Sequence, residues 1–255
     1  MAAFHHIDLG GDHHVHTRFC NHADGEMEEY VQAAIQNGLH SMTFLEHLEC
    51  GIRYEQRIWL TPELFTLYFK EGQRLQKKYA AQITISLGVE IGCNPEAIDE
   101  LLAELSRFPF EHKGLSCHFY FDNSRHLNML SRRQEHINAL TAVGQEKILD
   151  AYFSNLILGC KELPCDKLCH LDAALRYLPK FTLTAYHKEL IAQLLMLMQQ
   201  KNIALEINTS GYAVRPHPYP APSIIDQAIE LGIPLIVGSD AHHPEQVGRY
   251  FDRLS

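Results

Sequence analysis

The sequence predicts a parallel α/β barrel of seven strand-then-helix units, in a single domain spanning residues 1–255. Three observations lead there. Short apolar runs alternate with longer amphipathic segments along the whole chain, the pattern of parallel strands joined by crossover helices. No Gly-rich nucleotide turn follows any run, which favours closure into a barrel over an open doubly wound sheet. The length of 255 residues suits one barrel, which runs to about 250 residues as a single domain.

The units follow in order. Run one ends at Asp12-His13-His14-Val15-His16-Thr17, and a helix over about 25–38 closes at Gly38. Run two covers 41–47. An irregular stretch then leads to a helix opening at Thr61-Pro62-Glu63, with Pro at its first helical position. Run three covers 83–91, and its helix begins near Pro95-Glu96. Run four covers 113–121, with helix over about 131–159. Run five covers 166–172, with a helix over about 184–201 in which Leu190, Leu194, Leu197 and Met198 recur at helical spacing and read as core. Run six covers 203–209. A Pro-rich loop and a helix near 223–232 precede run seven at 234–240.

Composition narrows the function classes. There are 22 basic and 31 acidic residues, a net charge of −9 that argues against a broad nucleic-acid surface. The longest apolar run is Leu194 to Met198, too short to span a bilayer, so no membrane partner is expected. The opening residues lack a basic region followed by an apolar one, so no secretory signal is expected. Seven cysteines form no C-x-x-C pair and read as reduced thiols of a cytoplasmic protein. Cys165 precedes run five and Cys169 lies within it, but the other half of a four-ligand zinc site is missing.

The unusual figure is 17 histidines. In a parallel barrel the active site gathers at the C-terminal ends of the strands. Those ends carry His14, His16, His47, Glu90, His118, His170, Asp240 and His242, and His22 lies in the loop after the first strand. A lone histidine is ordinarily a surface or satisfied core residue, and His5, His6, His40, His112, His126, His136, His187 and His217 are read that way. Period-two alternation puts Asp12, His14 and His16 on one face and aims His13 away from them; His243 likewise points away from His242. Asp12 is then expected to orient a histidine ring from behind. Nine imidazole and carboxylate donors exceed the four of one structural zinc. They predict two or three divalent ions (Zn, Mn, Fe or Co), and so hydrolysis by an oxygen nucleophile shared between metals.

The ordered set Asp12-x-His14-x-His16-Thr17, Glu46-His47, Gly88-Val89-Glu90, Ser116-Cys117-His118-Phe119, His170-Leu171-Asp172 and Gly238-Ser239-Asp240-Ala241-His242 resembles the polymerase-and-histidinol-phosphatase superfamily, over residues 12–248. Phe19-Cys20-Asn21-His22-Ala23, the segment from His170 to Tyr177 with Arg176, Glu206 to Gly211, and Arg215 followed by Tyr219-Pro220 are similar to its histidinol-phosphate phosphatase branch. The stretch from Leu48 to Trp59, which should overhang the mouth, departs from that branch in length and composition. So does Cys117 beside His118.

The resemblance implies a distorted (β/α)7 barrel, a metal site at the C-terminal strand ends, and hydrolysis of L-histidinol phosphate in histidine biosynthesis. It implies one metal on His14, His16, Glu90 and Asp240, a second on His22, His47 and His242, and a third on His118 and His170 sharing Glu90. The expected mechanism is attack of a metal-bridging hydroxide on phosphorus, with Asp240 or His242 passing a proton to the leaving group. Arg176 and Arg215 are expected to hold phosphate through their guanidinium forks, with Arg53 and Arg57 as further candidates. Phe119, Tyr120, Asn208 and Asp172 are expected to receive the rest of the substrate. The alternative substrate is another small phosphate ester, such as a nucleotide or sugar phosphate. A nuclease or proofreading module fits the acidic charge poorly. An amidohydrolase commonly bridges its metals with a lysine on strand four, where this chain has His118. A non-enzymatic metal-binding barrel would not need the complete ligand set.

Overall fold

A computed structural model describes residues 7–178 and 182–254, so His5, His6 and the opening residues read for a secretory signal lie outside the described residues. Seven parallel strands form one sheet. They are β1 (Gly11–Val15), β2 (Ser41–Leu48), β3 (Thr84–Gly92), β4 (His112–Ser116), β7 (Lys167–Leu168), β8 (Ala204–Asn208) and β9 (Leu235–Gly238), adjacent in that order. The first and last strands nearly close the sheet into a barrel. Val15 bridges Ala241 in parallel, and His16 N donates to Ala241 O at 2.9 Å.

Helices cover the outside. They are α1 (Met27–Gln36), α2 (Pro62–Tyr79), α3 (Ile98–Arg107), α4 (Gln134–Val143), α5 (Gln145–Glu162), α6 (Ala185–Lys201) and α7 (Pro222–Glu230). Two begin on threonine caps that the sequence supplies. Thr61 caps α2 by accepting from Leu64 N, with Pro62 in the first turn. Thr184 caps α6 in a reciprocal box with His187, whose Nε2 lies 2.9 Å from Asp150. The core is the shell between barrel and helices. Tyr68 on α2, fully buried, shows how it closes: its hydroxyl donates to the carbonyls of Phe44 and Gly88 on adjacent strands. Among the described residues no helix is long and apolar enough to cross a membrane.

Three expectations change. Run four is not one strand. The chain leaves the barrel after Ser116, and residues 119–121 enter an antiparallel hairpin of β5 (Phe119–Asp122) and β6 (Arg125–Asn128) over the mouth. An apolar run is compatible with either strand, and only the barrel's height decides where the first must stop. The helical region at 131–159 is broken at Gly144, whose φ of +99° suits glycine and ends α4 before α5 begins.

The third change concerns β1. Its register against β2 slips by one residue between Asp12 and Val15, a β-bulge. The bulge cancels strict alternation. His13 bonds Thr43, which shares the inward face of Leu45 and His47, so His13 turns inward at the base. Asp12 turns instead to the barrel seam, where it accepts from Ser239 N (2.9 Å), Gly248 N (2.8 Å) and His14 N (3.3 Å). It therefore meets no imidazole, and its expected role of orienting a histidine ring is corrected. It joins the first strand to the last.

Replacing Asp12 with Asn puts an amide N–H against one of these buried donors. Unfolding free energy from urea titration should fall by about 1–3 kcal/mol, and an unchanged midpoint would remove Asp12 from barrel closure.

Candidate metal centre

Parallel pairing places the site. Register sets His47 on β2 beside Glu90 on β3, so both point into the barrel at its C-terminal end. His14 and His16 arrive from β1 just past the bulge, and His118 and His170 from the residues following β4 and β7. Asp240 and His242 follow β9, and His22 follows the short turn Arg18–Cys20. The structure brings all nine predicted donors together.

Glu90 is the centre and is 1% exposed. One oxygen, Oε1, lies 2.8 Å from His170 Nε2 and 3.2 Å from His118 Nε2. The other, Oε2, lies 2.9 Å from His47 Nδ1 and 3.5 Å from both His14 Nε2 and His16 Nε2. Asp240 Oδ1 approaches His16 Nε2 at 3.4 Å. The triads His14–His16–Asp240, His16–His47–Glu90 and His22–His47–His242 each set three donor atoms within 4.8 Å.

Electrostatics keep the two carboxylates and the rings of His16, His22 and His242 in donor form. Burial pushes Glu90 up, but the imidazoles of His118, His47 and His14 outweigh it and hold the carboxyl well below its usual range. Asp240 is held low in the same way, by His16, His14 and His242 against burial. Burial and the rings of His242 and His47 bring His22 down to about 2. Burial brings His242 to about 4 against the pull of Asp240. His118 goes the other way, to about 10: burial lowers it, but the carboxylates of Glu90 and Glu49 more than offset that. A cation bound there would displace that proton.

The donor set fits divalent ions on an observation of its own. His22 Nδ1 donates to Cys20 O at 3.0 Å and His242 Nδ1 to Asp240 O at 3.1 Å. Each neutral ring then carries its lone pair on Nε2, and these two atoms face each other at 2.9 Å. Two lone pairs at that distance repel unless a cation takes both. His14 differs: its Nδ1 lies 2.7 Å from Glu206 and its Nε2 2.9 Å from His16 Nε2, and although burial lowers it, the carboxylates of Glu206 and Glu90 hold this ring well above the usual imidazole range, so a cation bound there would displace its proton. His47 Nε2 and Glu90 Oε2 are likewise buried with no hydrogen-bond partner among the described residues.

Sequence reasoning missed the groups that fix these tautomers. Glu206 on β8 holds His14 Nδ1 and is itself braced by Asn208 Nδ2 at 2.7 Å and the buried Lys167 ammonium at 3.5 Å. A Cβ at Gly238 would lie 2.5 Å from His14 Cβ, so glycine there lets β9 approach this pair. Glu49 holds His118 Nδ1 at 2.7 Å. The available signal was alternation: Glu49 stands two residues past His47, and Glu206 sits on a strand that otherwise lacks a donor. Two of the nine donors also have left-handed backbones, His170 at φ 28° and Asp240 at φ 52°. Arg249 Nε and Nη2 clamp the Asp240 turn through the carbonyls of Ser239 and Asp240, both at 2.9 Å.

Several expected substrate contacts are otherwise engaged. Arg215 forks onto Asp172 at 2.7 and 3.1 Å, its guanidinium 3.8 Å above the Tyr219 ring, and Asp172 also accepts from Ala221 N. That pair braces the rim, because each satisfies the other's charge. Asn208 is fully buried, its amide spent on Glu206 and its oxygen on Ser210. Phe119 and Tyr120 are 5% and 8% exposed, and Phe119 lies under Tyr54 and Trp59. Arg53 is exposed, tied by its backbone to His126. Arg57 is exposed too, its carbonyl accepting from Asn21 Nδ2 at 3.4 Å. Arg176 remains: its buried Nε has no partner among the described residues. All seven cysteines are free. Cys169 lies within 4.8 Å of His14 and Glu90 donors, but burial and Glu206 push its thiol up, away from the thiolate a zinc site takes.

Comparison with known proteins agrees with this geometry. The PHP domain pattern matches residues 12–210, and the PHP-associated pattern matches 225–252, which supplies most of α7 and all of β9. A probable histidinol-phosphatase of Deinococcus radiodurans is 29% identical over 252 residues, covering 94% of this chain and 89% of that protein. The histidinol-phosphatase of Bacillus subtilis is 24% identical over 258 residues, covering 94% and 96%. A Listeria monocytogenes chain crystallised as a candidate histidinol phosphatase superposes with a TM-score of 0.86 at 22% identity, over 95% of this chain and 99% of its own. Lactococcus lactis histidinol phosphate phosphatase, crystallised with zinc, L-histidinol and phosphate, gives 0.70 at 20% identity, over 92% and 86%. At these identities the structural likenesses establish the fold.

Replacing Glu206 with Gln leaves the His14 tautomer unfixed. Metal affinity, read by competition with a chelating dye, should weaken about 10- to 100-fold. Unchanged affinity would mean that Glu206 serves only to neutralise Lys167.

Proposed function

The chain belongs to the PHP domain family, and from that premise we propose that it is a metal-dependent phosphomonoesterase whose substrate is L-histidinol phosphate. One observation carries the reading: nine imidazole and carboxylate donors gather at the mouth of the barrel, five of the imidazoles around the carboxylate of Glu90. Support for the substrate comes from relatives named histidinol-phosphatases along most of the chain, and from the L-histidinol and phosphate held by the Lactococcus lactis protein.

His14, His16, His22, His47, Glu90, His118, His170, Asp240 and His242 would hold two or three divalent ions. Zinc suits these donors, as do manganese, iron and cobalt. Bound there, such ions supply an activated water and neutralise the phosphoryl oxygens. The chain's own residues do the rest. Glu90 offers both oxygens, so it ties neighbouring positions together. Glu206 and Glu49 keep His14 and His118 with their Nε2 lone pairs turned inward. Asp240 and His242 stand at the opening, with side chains 11% and 23% exposed against 0–1% for His14, His16 and Glu90. One of them would take the proton released by the attacking water and pass it to the departing alkoxide. Arg176, whose buried Nε has no partner among the described residues, takes the phosphate, while the Arg215–Asp172 pair keeps Tyr219 in place beside it.

The test is phosphate release from a panel of esters by protein purified without chelator. L-Histidinol phosphate should be turned over with the highest kcat/KM, and a nucleotide or sugar phosphate in first place would contradict the substrate assignment. In the same assay Arg176→Ala should lower kcat/KM about 10- to 100-fold, the loss expected of a hydrogen bond to a charged group, with metal content unchanged. An unaltered value would remove Arg176 from the site.

A further inference from the structure

The connection from β2 to α2, residues 49–61, has no regular structure but is pinned along its length. Asn94 Nδ2 holds Cys50 O at 2.9 Å. Arg53 and His126 on β6 exchange two bonds: Arg53 N donates to His126 Nδ1 at 3.0 Å, and His126 N to Arg53 O at 2.9 Å. Arg133 grips Glu55 at 2.6 Å. Asn21, next to His22, reaches Arg57 O at 3.4 Å, and Leu60 N donates to His47 O at 3.0 Å. The last two ties attach the segment to the residues that carry the metal donors. Trp59 is thereby fixed one residue from the backbone bond to His47.

Its ring meets Phe119 edge to face, centroids 6.1 Å apart at 82°. Phe119 follows His118 and is itself buried. Trp59 is partly exposed. So Tyr54 and Trp59, both partly exposed, share the open aromatic surface over Phe119, and Trp59 is the one next to the backbone bond to His47. By strand order, Arg176, Arg215 and Tyr219 occupy the rim after β7 and β8, across the barrel from β2. A phosphate ester held at the centre, with its phosphate toward Arg176, directs its organic part toward Trp59.

We propose that Trp59 is the specificity-determining residue of this site, its indole face taking a planar ring carried on the leaving group, a few bonds from the ester oxygen. This rests on the phosphatase reading above. An imidazole or imidazolium ring is such a group, and an aromatic face binds it by stacking or by attraction to its charge.

The experiment compares two substrates across three proteins. Ethanolamine phosphate has an amine and a phosphate but no ring; L-histidinol phosphate has all three. Turnover of L-histidinol phosphate by the unaltered chain comes first. Its absence would overturn the phosphatase reading, and this inference with it. Given turnover, Trp59→Ala should raise KM for L-histidinol phosphate about tenfold, an aromatic contact's ordinary effect, with kcat changed less. Its kcat/KM for ethanolamine phosphate should stay within about twofold of the unaltered chain's, and Trp59→Phe should recover most of the loss. Trp59 is the single tryptophan of the chain, so its emission should also respond saturably to L-histidinol in the presence of phosphate. Equal losses on both substrates, or none on either, would overturn the assignment while leaving the phosphatase standing. A native circular-dichroism spectrum for Trp59→Ala guards against reading a folding defect as specificity.

Discussion

A buried carboxylate at the meeting point of five imidazoles governs this molecule. Glu90 presents Oε1 to His118 and His170 and Oε2 to His14, His16 and His47, so donors arriving on four different strands or strand tips share one acid. Such a charge in a sealed interior is costly unless opposite charge surrounds it. Here the neighbouring rings offset that cost and hold the carboxyl ionised. The barrel is what makes the convergence possible. Parallel strands deliver their C-terminal ends to one mouth, and the pairing of β2 with β3 sets His47 beside Glu90 without further adjustment.

Around this centre lies a ring of groups whose task is direction. A histidine offers a lone pair from one nitrogen only if its proton is held on the other. Glu206, Glu49 and the carbonyls of Cys20 and Asp240 hold those protons for His14, His118, His22 and His242. The backbone contributes as well. Asp240 takes a left-handed conformation that costs free energy for a residue with a side chain, and Arg249 restrains it through two carbonyls. Asp12 secures the same region from below by joining β1 to β9. The metal centre, the seam and the C-terminal segment are therefore one mechanical unit.

The alternation of apolar runs and helices was enough to read the barrel, and the gathering of the nine residues was legible because strand ends in such a fold have only one place to meet. What escaped depends on information no single strand carries. Asp12 was assigned to the histidine face by period-two reasoning, which a one-residue bulge silently breaks. Glu206 and Glu49 are ordinary acids until cross-strand register sets them behind particular rings. Arg215, Asp172, Asn208 and Phe119 are of the right chemical types for a substrate, but the fold pairs Arg215 with Asp172 and Asn208 with Glu206, and covers Phe119. Arg176 packs over the Tyr177 ring, its buried Nε without a hydrogen-bond partner among the described residues. Run four shows the same boundary: its composition allows a long strand, but β4 stops at Ser116 and His118, just beyond it, reaches Glu90.

Whether Glu90 and its imidazoles form a shared multi-cation centre is most directly settled by anomalous X-ray diffraction at the zinc edge, on crystals grown with zinc and never exposed to chelator. The account predicts at least two strong peaks inside the barrel mouth, one flanked by His22, His47 and His242 and another by His14, His16 and Asp240, with Glu90 within coordinating distance of a peak. A mouth without anomalous signal, in crystals whose surface sites bind zinc, would contradict it.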